Sequence, residues 1–165
     1  MISKLFKRSI CILKAPITGK LIDLESVPDE VFSKKMLGDG IVIQAEDGLV
    51  VSPVKGKVLQ IFPTNHAVGI ISDEGIEILI HLGIDTVELK GKGFTRLAEP
   101  DDPVNPGTPL IRMDLDIIKR YGKSLISPII ITNSEKVKSL KAMSGFVKAA
   151  QDNILKIHYT KRRGI

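Results

Sequence analysis

Apolar positions in this chain fall in short, β-branched runs closed at short intervals by Gly, Pro and Asp. The runs Ile10–Leu13, Ile41–Ile43, Lys57–Phe62, Ala67–Ile71, Ile76–His81, Thr108–Met113, Pro128–Thr132 and Ile154–His158 read as strands. This rhythm belongs to an all-β sandwich or barrel, not to alternating βαβ units. Two stretches can hold short helices: Asp29–Leu37, and Leu115–Tyr121 with Gly122 as its stop signal. A small-Pro-aliphatic-x-Gly-Lys-aliphatic pattern occurs twice, at Ala15–Leu21 and at Ser52–Val58. Proline favours strand starts and edges and glycine permits the turn, so the echo points to a duplicated β-hairpin unit.

The segment Thr64–His81 carries two of the three histidines, His66 and His81, on two strands joined by a turn near Ser72–Gly75. A two-residue loop of Asp73 and Glu74 makes His66 and His81 direct cross-strand partners, with Cβ atoms ~5 Å apart. Ile76, Ile78 and Ile80 then line the core side, and His81 points the other way with Leu79, opposite Val68 and Ile70. A three-residue loop would instead put the histidines on opposite faces. A pair of neutral imidazoles beside an apolar surface suits nucleophilic chemistry near neutral pH, one ring attacking while the other donates to the developing charge. His158, among Lys156, Tyr159 and Lys161, reads as an ordinary strand residue.

Composition narrows the partners. The 165 residues carry a formal net charge of +5. Lys4, Lys7, Arg8 and Lys14 stand near one end and Lys156, Lys161, Arg162 and Arg163 near the other, with no acid in either stretch. Of the 24 basic residues 16 remain in the body against 19 acids, so the body is at −3. With 4% aromatic residues and no Trp, there is no stacking platform interleaved with bases, and no nucleic-acid partner is expected. The single cysteine, Cys11, excludes an internal disulfide framework and fits a reducing cytoplasm. No signal peptide opens the chain, and no run reaches the about eighteen apolar residues of a membrane span. The expected organisation is a basic tail over 1–9, one domain over 10–158, and a basic tail over 159–165.

The stretch from His81 through Leu82-Gly83-Ile84-Asp85-Thr86-Val87-Glu88-Leu89-Lys90-Gly91-Lys92-Gly93 to Phe94 resembles the active-site signature of the glucose-type enzyme IIA family of the bacterial phosphoenolpyruvate-dependent sugar phosphotransferase system. Val27–Phe32, Gly38–Gly40, Ser52–Gly56, Phe62–His66, Gly107 and Pro128–Asn133 extend the match to most of residues 10–158. The resemblance implies a β-sandwich of duplicated hairpins. It implies that His81 takes a phosphoryl group from the histidine-containing phosphocarrier protein and passes it to a cysteine on the IIB domain of a separate sugar permease. It also implies that His66 stabilises the group, that Thr64 orients His66, and that the carbonyl of Gly83 fixes the ring of His81.

By the same resemblance, Asp29 and Asp85 flank the site to meet arginine on the phosphocarrier. Val31, Phe32, Leu37, Phe62 and Leu79 form the apolar docking patch, although Phe62 also reads as plain core. Glu30 departs from relatives that carry an apolar residue there. No cofactor is required, and a transient zinc held by His66, His81 and a partner's carboxylate is the one metal the family implies. Some relatives regulate other proteins according to their phosphorylation state, which is the alternative reading. Others have an amphipathic N-terminal membrane helix, for which Met1–Arg8 is short, so weak membrane contact is the most expected of it. A cytoplasmic monomer is expected.

Two other classes fit less well. A zinc metallopeptidase shares the His81-x-x-x-Asp85 spacing but would need a His-x-His, which is absent, to complete three protein ligands. A lipoyl or biotin carrier would present a modified lysine at a hairpin tip, a setting no lysine here has, and would not need paired histidines.

Overall fold

Alternation of buried and half-exposed residues gives several strands one face for the interior, and the computed structural model, which describes residues 9–161, shows how those faces meet. The first half contains β1 (Ile10–Lys14), β2 (Gly19–Ile22), α1 (Glu30–Ser33), β3 (Asp39–Ala45), β4 (Leu49–Val51), β5 (Gly56–Ile61), β6 (Ala67–Ser72) and β7 (Glu77–His81). The second contains β8 (Phe94–Arg96), β9 (Pro103–Val104), β10 (Pro109–Met113), α2 (Leu115–Arg120), β11 (Ile126–Ile131), β12 (Val137–Ala142), β13 (Phe146–Val147) and β14 (Asn153–Tyr159). An eight-stranded sheet in the order β13-β2-β3-β11-β7-β6-β5-β9 packs against two three-stranded sheets, β1-β14-β12 and β4-β10-β8. The pairings are antiparallel throughout, and the expected all-β sandwich is what forms. Each expected strand is present; the first expected helix shortens to α1, with Asp29 as its cap.

The repeated motif marks a pseudo-two-fold axis. Lys14 N–H donates to the Pro53 carbonyl, and the equivalent Val51 N–H donates to the Pro16 carbonyl, both at 2.9 Å. β13 pairs with β2 through Phe146–Lys20 and Val147–Gly19, just as β9 pairs with β5 through Pro103–Lys57 and Val104–Gly56. Ala150 and Gly107, both at positive φ, donate to Ala15 and Ser52 respectively. The strand order of the large sheet is symmetric about the β11–β7 pair, which therefore lies at its centre.

That centre is the most buried part of the fold. Ile78 and Ile80 of β7, Val68 and Ile70 of β6, and Ile41 and Ile43 of β3 face the two small sheets in one large apolar cluster. Val42 and Ile130 face the opposite way into a smaller cluster with Leu24, Val27, Phe32 and Ile84. Central strands covered on both faces read as continuous aliphatic runs, as Ile129-Ile130-Ile131 does.

The β6–β7 hairpin differs from the two-residue loop expected above. Ser72 N–H donates to the Ile76 carbonyl and Ala67, not His66, is opposite His81, so Asp73, Glu74 and Gly75 form a three-residue loop. Such a loop needs one residue at positive φ, and Gly75 supplies it at 88°. Val68 and Ile70 accordingly face the core opposite Ile80 and Ile78, while Leu79 and His81 face outward opposite Gly69 and Ala67. Asn133 holds the loop: its Oδ1 accepts from Glu77 N–H at 2.9 Å and its Nδ2 donates to the Gly75 carbonyl at 2.8 Å. Asn133→Ala leaves both groups without that partner and should lower the unfolding free energy by about 1–3 kcal/mol. Urea unfolding checks this, and an unchanged midpoint and slope would show that the loop does not depend on the amide.

Candidate functional site

His81 ends β7, with its side chain on the outward face beside that of Leu79. Beyond it the chain must turn sharply, and Gly83 does so at φ +75°. A Cβ at Gly83 would lie 2.4 Å from the Ser124 carbonyl oxygen and 2.6 Å from Thr86 Cγ2, so no side chain fits without movement. Gly83 N–H donates to Ser127 Oγ at 3.1 Å, and Thr86 Oγ1 donates to the Leu82 carbonyl at 2.6 Å. These two bonds fix the Leu82–Gly83 peptide, and the turn at Gly83 aims the carbonyl of the next peptide, that of Gly83, back at His81 Nδ1, at 2.7 Å. A carbonyl only accepts, so Nδ1 carries the proton and the neutral ring keeps its lone pair on Nε2.

His66 reaches the same place by another route. Phe62 N–H donates to the Ala67 carbonyl at 3.0 Å and Asn65 N–H to the Phe62 carbonyl at 2.7 Å, closing a turn over Pro63, Thr64 and Asn65. Asn65 sits at φ +58°, a conformation asparagine tolerates better than most residues. His66 lies on this turn, one residue before β6 begins, and strand alternation therefore does not dictate its side. Its ring meets that of His81 edge-on, with centroids 5.2 Å apart and planes at 77°. The two histidines come together despite the altered register: the His66 carbonyl still accepts from Leu82 N–H at 2.8 Å, but the chain bends at Asn65 just before it, and the ring is turned out of strand alternation toward His81.

The surrounding groups lock both rings. Thr64 Oγ1 hydrogen-bonds His66 Nδ1. The Phe62 ring stands edge-on to His66 at 5.5 Å, and Phe32 lies tilted against His81 at 5.1 Å. Burial lowers the pKa of His66, and the neighbouring His81 lowers it further. Burial also lowers that of His81, opposed by the Gly83 carbonyl and then by the charges of Asp29 and Asp85. Both rings are thus biased toward the neutral form near pH 7, while the carboxylates stand ready to favour positive charge on His81.

The expected docking residues divide into two groups. Val31 and Leu37 are 41% and 42% exposed, and Phe62 and Leu79 are half-buried. Phe32, at 5% exposure, is a correction: it lies beneath the surface as part of the smaller core and supports His81. Glu30 is exposed and pairs with Lys34 at 3.3 Å. Met36 and Val87, at 68% and 51% exposure, are apolar surface that the sequence reading did not single out. Nor did it find Ser127 and Thr86, the buried hydroxyls that brace Gly83; small polar residues inside apolar strands were the available signal. Among the described residues no three His, Cys, Asp or Glu side chains converge as a metal site. His66 and His81 would supply two ligands, and a zinc ion would need the rest from another molecule. No helix among the described residues is long and apolar enough to cross a membrane, and the basic segment Met1–Arg8 lies outside them.

Known proteins resemble this chain in both sequence and fold. Residues 11–137 match the family described as phosphoenolpyruvate-dependent sugar phosphotransferase system, EIIA 1. A glucose-specific EIIA component of that system from Staphylococcus epidermidis is 52% identical over 126 residues, 76% of each chain. Its counterpart from Staphylococcus aureus is 48% identical over the same length and coverage. The solved glucose permease IIA from Mycoplasma capricolum superposes with a TM-score of 0.83 at 38% identity, covering 92% of this chain and 97% of that one.

Because both rings protonate less readily when folded, the unfolded chain binds more protons once the pH falls below the ordinary histidine value of 6.5. Stability should therefore fall with pH through that window and level off once both folded-state rings have titrated. The double variant His66→Ala/His81→Ala should show a flatter dependence than the wild type. Urea midpoints from about pH 7.5 to about pH 5 test this, and equal slopes would contradict it.

Proposed function

The chain belongs to the EIIA 1 family of the phosphoenolpyruvate-dependent sugar phosphotransferase system and is a phosphoryl carrier and phosphotransferase component of it; on that premise we propose that His81 carries the group, on Nε2. The observation that carries the reading is the Nδ1–Gly83 hydrogen bond, which leaves Nε2 as the nucleophilic nitrogen of a ring kept neutral by burial. Membership implies a phosphocarrier partner on one side and a IIB domain or permease on the other.

Phosphoryl transfer asks the protein mainly for positioning and for stabilisation of charge on the passing group. The Nε2 lone pair of His81 forms a bond to phosphorus as the P–N bond of the donor's phosphohistidine breaks, its electron pair returning to the donor ring. His81 keeps its Nδ1 proton and becomes cationic. The Gly83 carbonyl and the charges of Asp29 and Asp85 favour that cation, and a cationic ring is the better leaving group for the next transfer. A cysteine thiolate of IIB then attacks phosphorus, the Nε2–P bond breaks, and neutral His81 is restored. His66 acts alongside: when the Thr64 hydroxyl donates to Nδ1, His66 carries its proton on Nε2 and donates it to a phosphoryl oxygen.

Val31, Leu37, Phe62 and Leu79 give both partners one apolar surface around the histidines, with Phe32 supporting it from below. The carboxylates of Asp29 and Asp85 suit an arginine of the donor. A zinc ion shared with a partner would draw on His66 and His81 and would engage the same nitrogens that handle the phosphoryl group. The glucose-specific relatives make a glucose-type IIB the first acceptor to test. Phosphoenolpyruvate-fed partners and a buried, unpaired Cys11 both suit the cytoplasm.

Incubation with labelled phosphoenolpyruvate, enzyme I and the phosphocarrier tests the proposal. The wild type should gain one acid-labile phosphohistidine, and His81→Ala none; persistent labelling of His81→Ala would refute the assignment. His66→Ala should accept the group but deliver it to IIB about 10²–10³-fold more slowly, the usual loss on removing one transition-state donor. Normal delivery would remove His66 from the mechanism.

A further inference from the structure

We infer that Arg96 is a positioning residue for the transfer, holding the turn that turns His66 toward His81; the inference rests on the role proposed for His66. Arg96 ends β8 in one of the small sheets, where it is opposite Ile111 of β10, whereas both histidines belong to the large sheet and its turn. Its side chain crosses to that turn. Nε donates to Asn65 Oδ1 at 3.1 Å and Nη2 to the Ile61 carbonyl at 3.5 Å. Nη1 pairs with the Glu99 carboxylate at 3.2 Å, fixing the guanidinium from the solvent side.

Asn65 is the residue where this matters. It stands between Thr64 and His66 in a left-handed conformation that non-glycine residues adopt at a cost. The His66 carbonyl already accepts from Leu82 N–H at 2.8 Å, so were Asn65 to relax to an extended conformation, the whole of His66 would continue β6. Its neighbour Ala67 is the direct partner of His81, so alternation would carry the His66 ring to the other face of the sheet. The guanidinium ties Asn65 to Ile61, the last residue of β5, and so opposes that relaxation at both ends of the turn. A planar fork reaches three acceptors at once; the single ammonium of lysine cannot do so in the same geometry.

The test compares Arg96→Ala, Arg96→Lys and Asn65→Asp. Arg96→Ala should accept the phosphoryl group on His81 within about twofold of wild type yet deliver it about ten- to a hundredfold more slowly, as expected for misplacement of a supporting group. Arg96→Lys should recover part of the loss, and Asn65→Asp, which keeps an acceptor for Nε, should stay near wild type. On the unphosphorylated protein, NMR titration of the rings should show His66 moving up toward the ordinary histidine range in Arg96→Ala while His81 stays in place. Unchanged delivery together with an unmoved His66 titration would overturn the inference. So would acceptance and delivery falling equally in step with lost stability, the mark of a purely structural arginine. The ring titration needs no phosphoryl group, so it judges Arg96 even if labelling of His81 in the wild type fails.

Discussion

The hydrogen bond from His81 Nδ1 to the Gly83 carbonyl is the constraint on which the site depends. It fixes the tautomer and, on the role proposed for His81, chooses the reacting nitrogen and favours the cation formed on phosphorylation, while burial biases the unmodified ring toward its neutral form. These demands conflict, since a ring too well prepared for positive charge would be protonated before it could attack. Burial dominates in the free protein, and the carbonyl with Asp29 and Asp85 supplies the opposing bias.

Such a bond holds only if the carbonyl cannot swing, and the fold sees to that. Gly83 follows directly from the central β7, its N–H is taken by buried Ser127 of β11, and its Cα approaches Ser124 and Thr86 too closely for a side chain. The pseudo-two-fold sandwich places β11 and β7 together at the middle of the large sheet, under the full weight of both apolar clusters. His66 is held differently, by a turn whose geometry depends on Asn65 and on contacts from another sheet. One histidine is set rigidly and its partner is presented by a loop, which fits a phosphoryl carrier that receives a group and passes it on.

Much of this was legible in residue patterns because it is local. Alternation at Ile76, Ile78 and Ile80 identified the core face of β7 and the outward face of His81. The motif repeated at Pro16 and Pro53 announced the symmetry that the reciprocal hydrogen bonds display. The histidine pairing was anticipated from a register that does not occur. Asn133, far away in sequence, sets the three-residue loop, and the Pro63–Asn65 turn frees His66 from alternation and restores the encounter. Phe32 entered the docking patch through the family resemblance, yet its ring turns inward to a second core that no single segment reveals. Arg96 escaped notice for the same reason: its partners lie 31 and 35 positions away and in another sheet.

The most direct measurement is the site of attachment on the phosphorylated ring. Nitrogen and phosphorus NMR of the labelled protein should show phosphorus bonded to Nε2 of His81, with a protected Nδ1 proton still hydrogen-bonded to Gly83. Attachment at Nδ1, or an Nδ1 proton exchanging freely with solvent, would contradict the account that this carbonyl selects and prepares the reacting nitrogen.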